Sequence, residues 1–237
     1  MPETQRTYLG RTAEAQVAID VGLRQHMLRV YNYMASGLAL TGIFAYFFAS
    51  SGLYAQIAVT PLIWVVMLAP LAFVMVLSFG LNRLSFFAAQ GIFWAFAAVM
   101  GISLASVFLV FTGASVARVF FITAGTFAAM SLYGYTTKTD LSKFGSFLMM
   151  GLIGIIIASL VNIFIGSSAL QFAISVIGVV VFVGLTAYDT QRIKEIYLES
   201  DDAETMGKKA LMGALALYLD FINLFMMLMQ LLGQRRE

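Results

Sequence analysis

The chain has 237 residues, 61% of them hydrophobic and 11% charged, with a formal net charge of +2. A soluble domain carries roughly 25% charged residues, so this chain lacks the charged shell of a soluble enzyme, a nucleic-acid binder or a disordered regulator. It has no Cys and one His, which excludes disulfides and thiolate chemistry and argues against a His-rich metal or haem site.

A membrane helix needs about 20 mostly apolar residues. Residues 1–27 lack a continuous apolar core, so no cleavable signal is expected and the first span serves as the anchor. Residues 14–30 predict a short helix lying on the inner leaflet, with Val17, Val21, Met27 and Leu28 as its apolar stripe and His26 at the headgroup boundary. No charge falls between Arg29 and Arg83, which leaves room for two spans divided at Ser50-Ser51-Gly52 and Pro61. The next two charge-free runs end at Arg118 and Lys138, and Thr112-Gly113 closes the first of them. Residues 144–188 hold two spans divided at Gly166-Ser167-Ser168, and residues 210–234 hold one, interrupted only by Asp220. The predicted architecture is all-α: seven transmembrane helices near 28–50, 57–80, 86–111, 116–136, 144–165, 169–190 and 211–232. A β-barrel would alternate apolar and polar residues in segments of about ten, whereas these runs are continuous. Two parts follow: a cytoplasmic N-terminal segment, 1–27, and a seven-helix domain, 28–237. Gly151, Gly154 and Ala158 on one side of the fifth span predict close helix approach. Asp140 or Thr139 is expected to cap that helix.

Arg6, Arg11, Arg24, Arg29, Arg83, Lys138, Lys143, Arg192, Lys194, Lys208 and Lys209 all fall on the side of the N-terminus. The positive-inside rule makes that side cytoplasmic, with the C-terminus outside.

Asp220 is the one charge well inside a span, where a carboxylate costs about 2.5–3.5 kcal/mol. Gly213, Ala216, Asp220 and Asn223 share one helical face, predicted to look inward. The expected partner is Asp189. If the sixth helix runs on to about Leu198, each aspartate lies about nine residues from the same membrane face. Two facing carboxyls cannot both ionise cheaply, so one proton would be shared and the pair would titrate in coupled steps. The plainer alternative is an Asp189–Arg192 pair one turn apart.

The run GALALYLDFINLFMMLMQLLG resembles the C-terminal signature of the Bax inhibitor-1 family, also called the transmembrane Bax inhibitor motif family. AYDTQRIKEIY and LRVYNYMASGLALTG resemble its sixth and first spans. The resemblance implies seven helices with the last one central, in the inner membrane for bacterial members. It also implies pH-sensitive calcium leak, with Asp189 and Asp220 as a proton-sharing latch. A family Arg at the end of the second span maps onto Arg83 and would pair with Asp189, with Arg192 as the rival.

The leading expectation is therefore a pH-gated Ca²⁺ leak. Asp189, Asp220 and Arg83 would gate it, Arg192, Asn223 and Tyr188 would support them, and Ca²⁺ contact at the two carboxyls would be weak and transient, with no resident cofactor. The alternative is a non-permeating regulator that binds a membrane-anchored ATP-dependent protease or a stress or cell-death partner. An intramembrane aspartyl protease is a third reading, but the second motif of that class carries Gly before Asp, and Leu219 stands there. Neither an enzyme nor a nucleic-acid partner is expected.

Overall fold

The structure, a computed structural model, describes residues 3–236, with side chains from residue 21 onward. Its helices run in the order α1 (Glu3–Ser50), α2 (Leu53–Ala58), α3 (Leu62–Gly80), α4 (Phe86–Val110), α5 (Gly113–Thr136), α6 (Ser142–Ile165), α7 (Ser168–Glu195) and α8 (Ala203–Leu232). A single 3-10 turn, Leu81–Arg83, follows α3. Seven of these helices are long and apolar enough to cross a membrane, all but the six-residue α2. Helices suit that medium because each satisfies its own backbone polar groups.

Local chemistry sets the boundaries. Ser85, Thr112, Ser167 and Asp202 stand at the N-caps of α4, α5, α7 and α8, and each side chain accepts a backbone N–H three residues on. Gly52 (φ 73°) and Gly166 (φ 67°) turn the chain in the left-handed region, which only glycine enters without steric cost. Before α6, the Asp140 carboxylate accepts the N–H of Ser142 at 2.9 Å, although Leu141 occupies the cap position. That N–H holds the Asp140 carboxyl below its ordinary range.

The last helix is the core. In the apolar 18-residue stretch of α8, 67% of residues are buried, against 39% or fewer in the matching stretch of every other span. It packs against α7, α1, α5 and α4, while α6 contacts the bundle through α7 and α3 through α4. Phe221, Leu224, Phe225 and Leu228, none of them in the Gly213–Asn223 stripe, are buried as well. Neighbours are drawn in by glycines. A Cβ on Gly101 of α4 would stand 2.5 Å from the Thr41 carbonyl oxygen of α1, and one on Gly134 of α5 would strike the Ala187 carbonyl of α7. In α6 the small-residue stripe serves this purpose in part: Gly151 meets Val181, whereas Gly154 faces open space.

Two hydroxyls tie α8 to its neighbours. Thr41 donates to the Ala97 carbonyl at 2.8 Å, so Tyr218 donates to Thr41, at 2.6 Å. At the far end the chain returns: the Arg236 N–H donates to the Val110 carbonyl and the Thr112 N–H to that of Gln234. The tail after α8 is thereby pinned to the α4–α5 connection.

Three expectations change. The segment 14–30 is not a separate helix, because α1 continues through it into the first span. Its proposed stripe splits: Met27 is buried, Val21 and Leu28 are exposed, and the Val17 side chain lies outside the described side chains. His26 is buried, its ring 5.5 Å from that of Tyr197 in the α7–α8 connection. The second span starts at Leu62 rather than near 57, because α2 and the turn at Thr60-Pro61 intervene. And α8 starts at Ala203, eight residues before the expected 211, because Asp202 caps it there.

Candidate functional site

Asp189 lies six residues before the end of α7 and Asp220 seventeen after the start of α8. The two stand at unequal distances from their helix ends, roughly 9 Å and 25 Å. They still meet, because α8 overhangs α7 by several turns. Ile193 packs on Gly213 and Lys209 bonds the Ile196 carbonyl, which fixes that register.

The two carboxyl groups are within hydrogen-bonding reach of one another. Asp220 is 5% exposed, and its Oδ2 has no donor among the described residues. Two ionised carboxylates only accept, so the contact becomes a hydrogen bond when one of them carries a proton. A buried pair without that proton bears uncompensated like charge in a low-dielectric site.

The other expected residues are distributed unevenly around the pair. Arg192, one turn beyond Asp189, is exposed and acts on its charge without closing an ion pair. Arg83 is not brought to the pair. It ends the 3-10 turn on the surface, and the ion pairs among the described residues are Lys208–Glu204 and Lys209–Asp201. Tyr188 points the other way, its ring against Gly145 of α6. Asn223 donates to the Leu219 carbonyl of its own helix at 2.8 Å, which satisfies its amide locally.

A hydrogen-bond chain that the sequence reading missed runs beside the pair. Thr190, next to Asp189, donates to the Thr186 carbonyl at 2.7 Å, so its contact with Ser131 at 2.9 Å is donated by Ser131. Tyr31 then donates to Ser131 at 2.7 Å. This chain joins α1, α5 and α7 in one direction. Gln191, also buried, clamps the α5–α6 connection: its Oε1 accepts the Leu141 N–H at 2.8 Å and its Nε2 donates to the Thr139 carbonyl at 2.9 Å. Lys194 donates to the Tyr135 carbonyl at 2.9 Å. Thr190 and Gln191 directly follow Asp189, but their partners on other elements lie fifty or more residues away, so no local signal revealed them.

Among the described residues no three His, Cys, Asp or Glu side chains converge. The pair alone offers two carboxyls, short of the six to eight oxygens of a tight Ca²⁺ site. The arrangement can hold and release a proton and meet a cation briefly.

Comparison with known proteins places this geometry. A sequence model described as "Inhibitor of apoptosis-promoting Bax1" matches residues 23–237. The chain is 47% identical over 219 residues to the inner membrane protein YbhL of Escherichia coli, covering 91% of this chain and 94% of that one. It is 48% identical over 227 residues to a protein of Rickettsia prowazekii, covering 95% and 96%. A membrane protein of Streptococcus pyogenes is 35% identical over 219 residues, covering 91% and 95%.

Proposed function

The chain belongs to the Bax inhibitor-1 family, and from that premise we propose that it is a pH-sensitive cation leak pathway, chiefly for Ca²⁺, gated by the proton count on Asp189 and Asp220. The observation that carries the reading is the buried Asp220 carboxyl, which meets a second carboxyl and no described donor. With one proton the two groups bond and α7 stays on α8. Without it, like charges face each other in low dielectric, and the α7–α8 seam is the place where that repulsion is relieved. A deprotonated pair also attracts a hard cation through oxygen.

The setting belongs to the same reading. Eleven Lys and Arg on the side of the N-terminus favour a cytoplasmic N-terminus. A bacterial inner membrane is supported by the name of the Escherichia coli relative.

The test is Ca²⁺ entry into liposomes that contain this protein alone, followed against pH. Flux that changes with pH supports the proposal. Absence of flux at every pH overturns it and moves the family role to binding of a membrane protease or another membrane partner.

A further inference from the structure

We infer that the groove between α1 and α4, at the charged N-terminal side of the bundle, binds an anionic phospholipid through its phosphodiester. The groove has a volume of about 440 Å³ and is lined by Gln25, Arg29, Asn32 and Ser36 of α1, with Tyr33 and Trp94 completing its wall. The first four recur at i, i+4, i+7 and i+11, a single helical stripe. From Gln25 to Ser36 that stripe descends roughly 16 Å. Gln25 and Arg29 therefore sit at the mouth, Asn32 and Ser36 lie below them, and the Tyr33 and Trp94 rings form the wall. A glycerophospholipid has the same order: phosphate at the surface, then glycerol and ester carbonyls, then chains.

Ser36 donates its hydroxyl to the Asn32 carbonyl at 2.6 Å, and the remaining donors of the groove are uncommitted among the described residues. The Arg29 guanidinium, the Gln25 and Asn32 amides and the Trp94 indole N–H make no hydrogen bond to another described residue, and Arg29 is outside both ion pairs. The wall behind them is fixed, since Gln90 donates to the Tyr33 hydroxyl at 3.0 Å and the Tyr33 ring lies 6.2 Å from that of Trp94. A planar guanidinium matches a phosphate's paired oxygens, and an indole N–H suits an ester carbonyl. The lone positive charge favours an anionic headgroup, because a choline headgroup carries its own cation.

The occupant is a lipid rather than a free anion because exposed apolar side chains of α1 and α4 accompany the polar stripe. Leu28, 51% exposed, lines it, and Phe87, 80% exposed, stands at the start of α4. A second groove, between α1 and α5, supplies the contrast. Arg24 lines it, but Met27, Met34 and Phe127 dominate its wall, and its inner hydroxyls, Tyr31 and Ser131, already satisfy each other. It has room for hydrocarbon, and apart from Arg24 and the Tyr135 hydroxyl it offers no uncommitted donor among the described residues. The inference does not depend on whether ions pass.

The experiment is native mass spectrometry of the full chain in detergent, with equal phosphatidylglycerol and phosphatidylcholine, alongside melting temperatures with each lipid. The expected result is one retained phosphatidylglycerol, weakened about tenfold or more in Arg29→Gln, which deletes a charge-assisted contact. Trp94→Phe should weaken it by a smaller factor, and Arg24→Gln should leave it within twofold, about the scatter of such titrations. Equal retention of the two lipids, equal losses in Arg24→Gln and Arg29→Gln, or wild-type retention by Arg29→Gln would each overturn the site. Displacement of the lipid by inorganic phosphate would overturn the lipid assignment. Both arginines are exposed, so the variants should fold, and unchanged melting without added lipid checks this.

Discussion

The hydroxyl of Tyr218 on α8 bonds that of Thr41 on α1 at 2.6 Å, with neither side chain open to solvent. Tyr218 stands two residues before Asp220, a rotation of about 200° around the helix. Anchoring Tyr218 toward α1 therefore turns Asp220 toward α7. The contact far from the carboxyl pair sets the direction in which the pair faces.

This contact has an ordered mutational signature. Tyr218→Phe leaves Thr41 with the Ala97 carbonyl and should cost about 0.5–1.5 kcal/mol. Thr41→Val strands a buried phenol and should cost more, about 1–3 kcal/mol. Thermal unfolding in detergent reads the order; an unchanged melting temperature in Tyr218→Phe would mean that Tyr218 contributes by packing alone.

Asp189→Asn and Asp220→Asn keep shape and hydrogen bonding while removing the titrating group. Each should flatten the pH response of Ca²⁺ entry into liposomes relative to wild type. Wild-type curves in both variants would reduce the carboxyls to packing residues.

Arg192, rather than Arg83, is the cation whose charge reaches Asp189. Arg192→Ala should therefore shift the pH profile of the flux, and Arg83→Ala should shift it less. A larger effect of Arg83→Ala would point to a second conformation in which that residue moves to the pair.

Gln191→Leu removes both bonds that hold the α5–α6 connection. The Leu141 N–H should then exchange hydrogen faster, and the protein should lose about 1–3 kcal/mol of stability. Amide exchange at Leu141 is the direct measurement, and unchanged protection there would show that other contacts hold the connection.

Asp202 caps α8 by accepting the Thr205 N–H, which holds its carboxyl below the ordinary range. A depressed carboxyl stabilises fully above its unfolded value and ceases to do so as pH falls through the folded one. Asp202→Ala should melt below wild type at neutral pH and converge with it in strong acid. Asp202→Asn should retain the cap with a flatter acid limb. Parallel wild-type and Asp202→Ala curves across that range would remove the charge from the account.

Much of the fold was legible because lipid penalises charge so heavily. The gaps between Arg29, Arg83, Arg118, Lys138 and Asp189 bracket the spans directly, and the lone Asp220 marks the interior helix. What escaped depends on contacts distant in sequence. His26 reads as interfacial until Tyr197, far along the chain, closes over it. The register of α7 on α8 reads as symmetric until the Asp202 cap lengthens α8 downward. Arg83 and Arg192 are equivalent as cations in one dimension, and only the packing of α7 on α8, with α3 joined to the bundle through α4, separates them.

The paired backbone of the chain's last residues limits how the molecule can move. With Arg236 on Val110 and Gln234 on Thr112, the far end of α8 cannot slide along its axis without breaking those bonds. The Tyr218–Thr41 bond opposes rotation of its middle. The central helix thus behaves as a stator. Any relative displacement at the carboxyl pair would fall to α7, together with α6 and α5, which are packed on it.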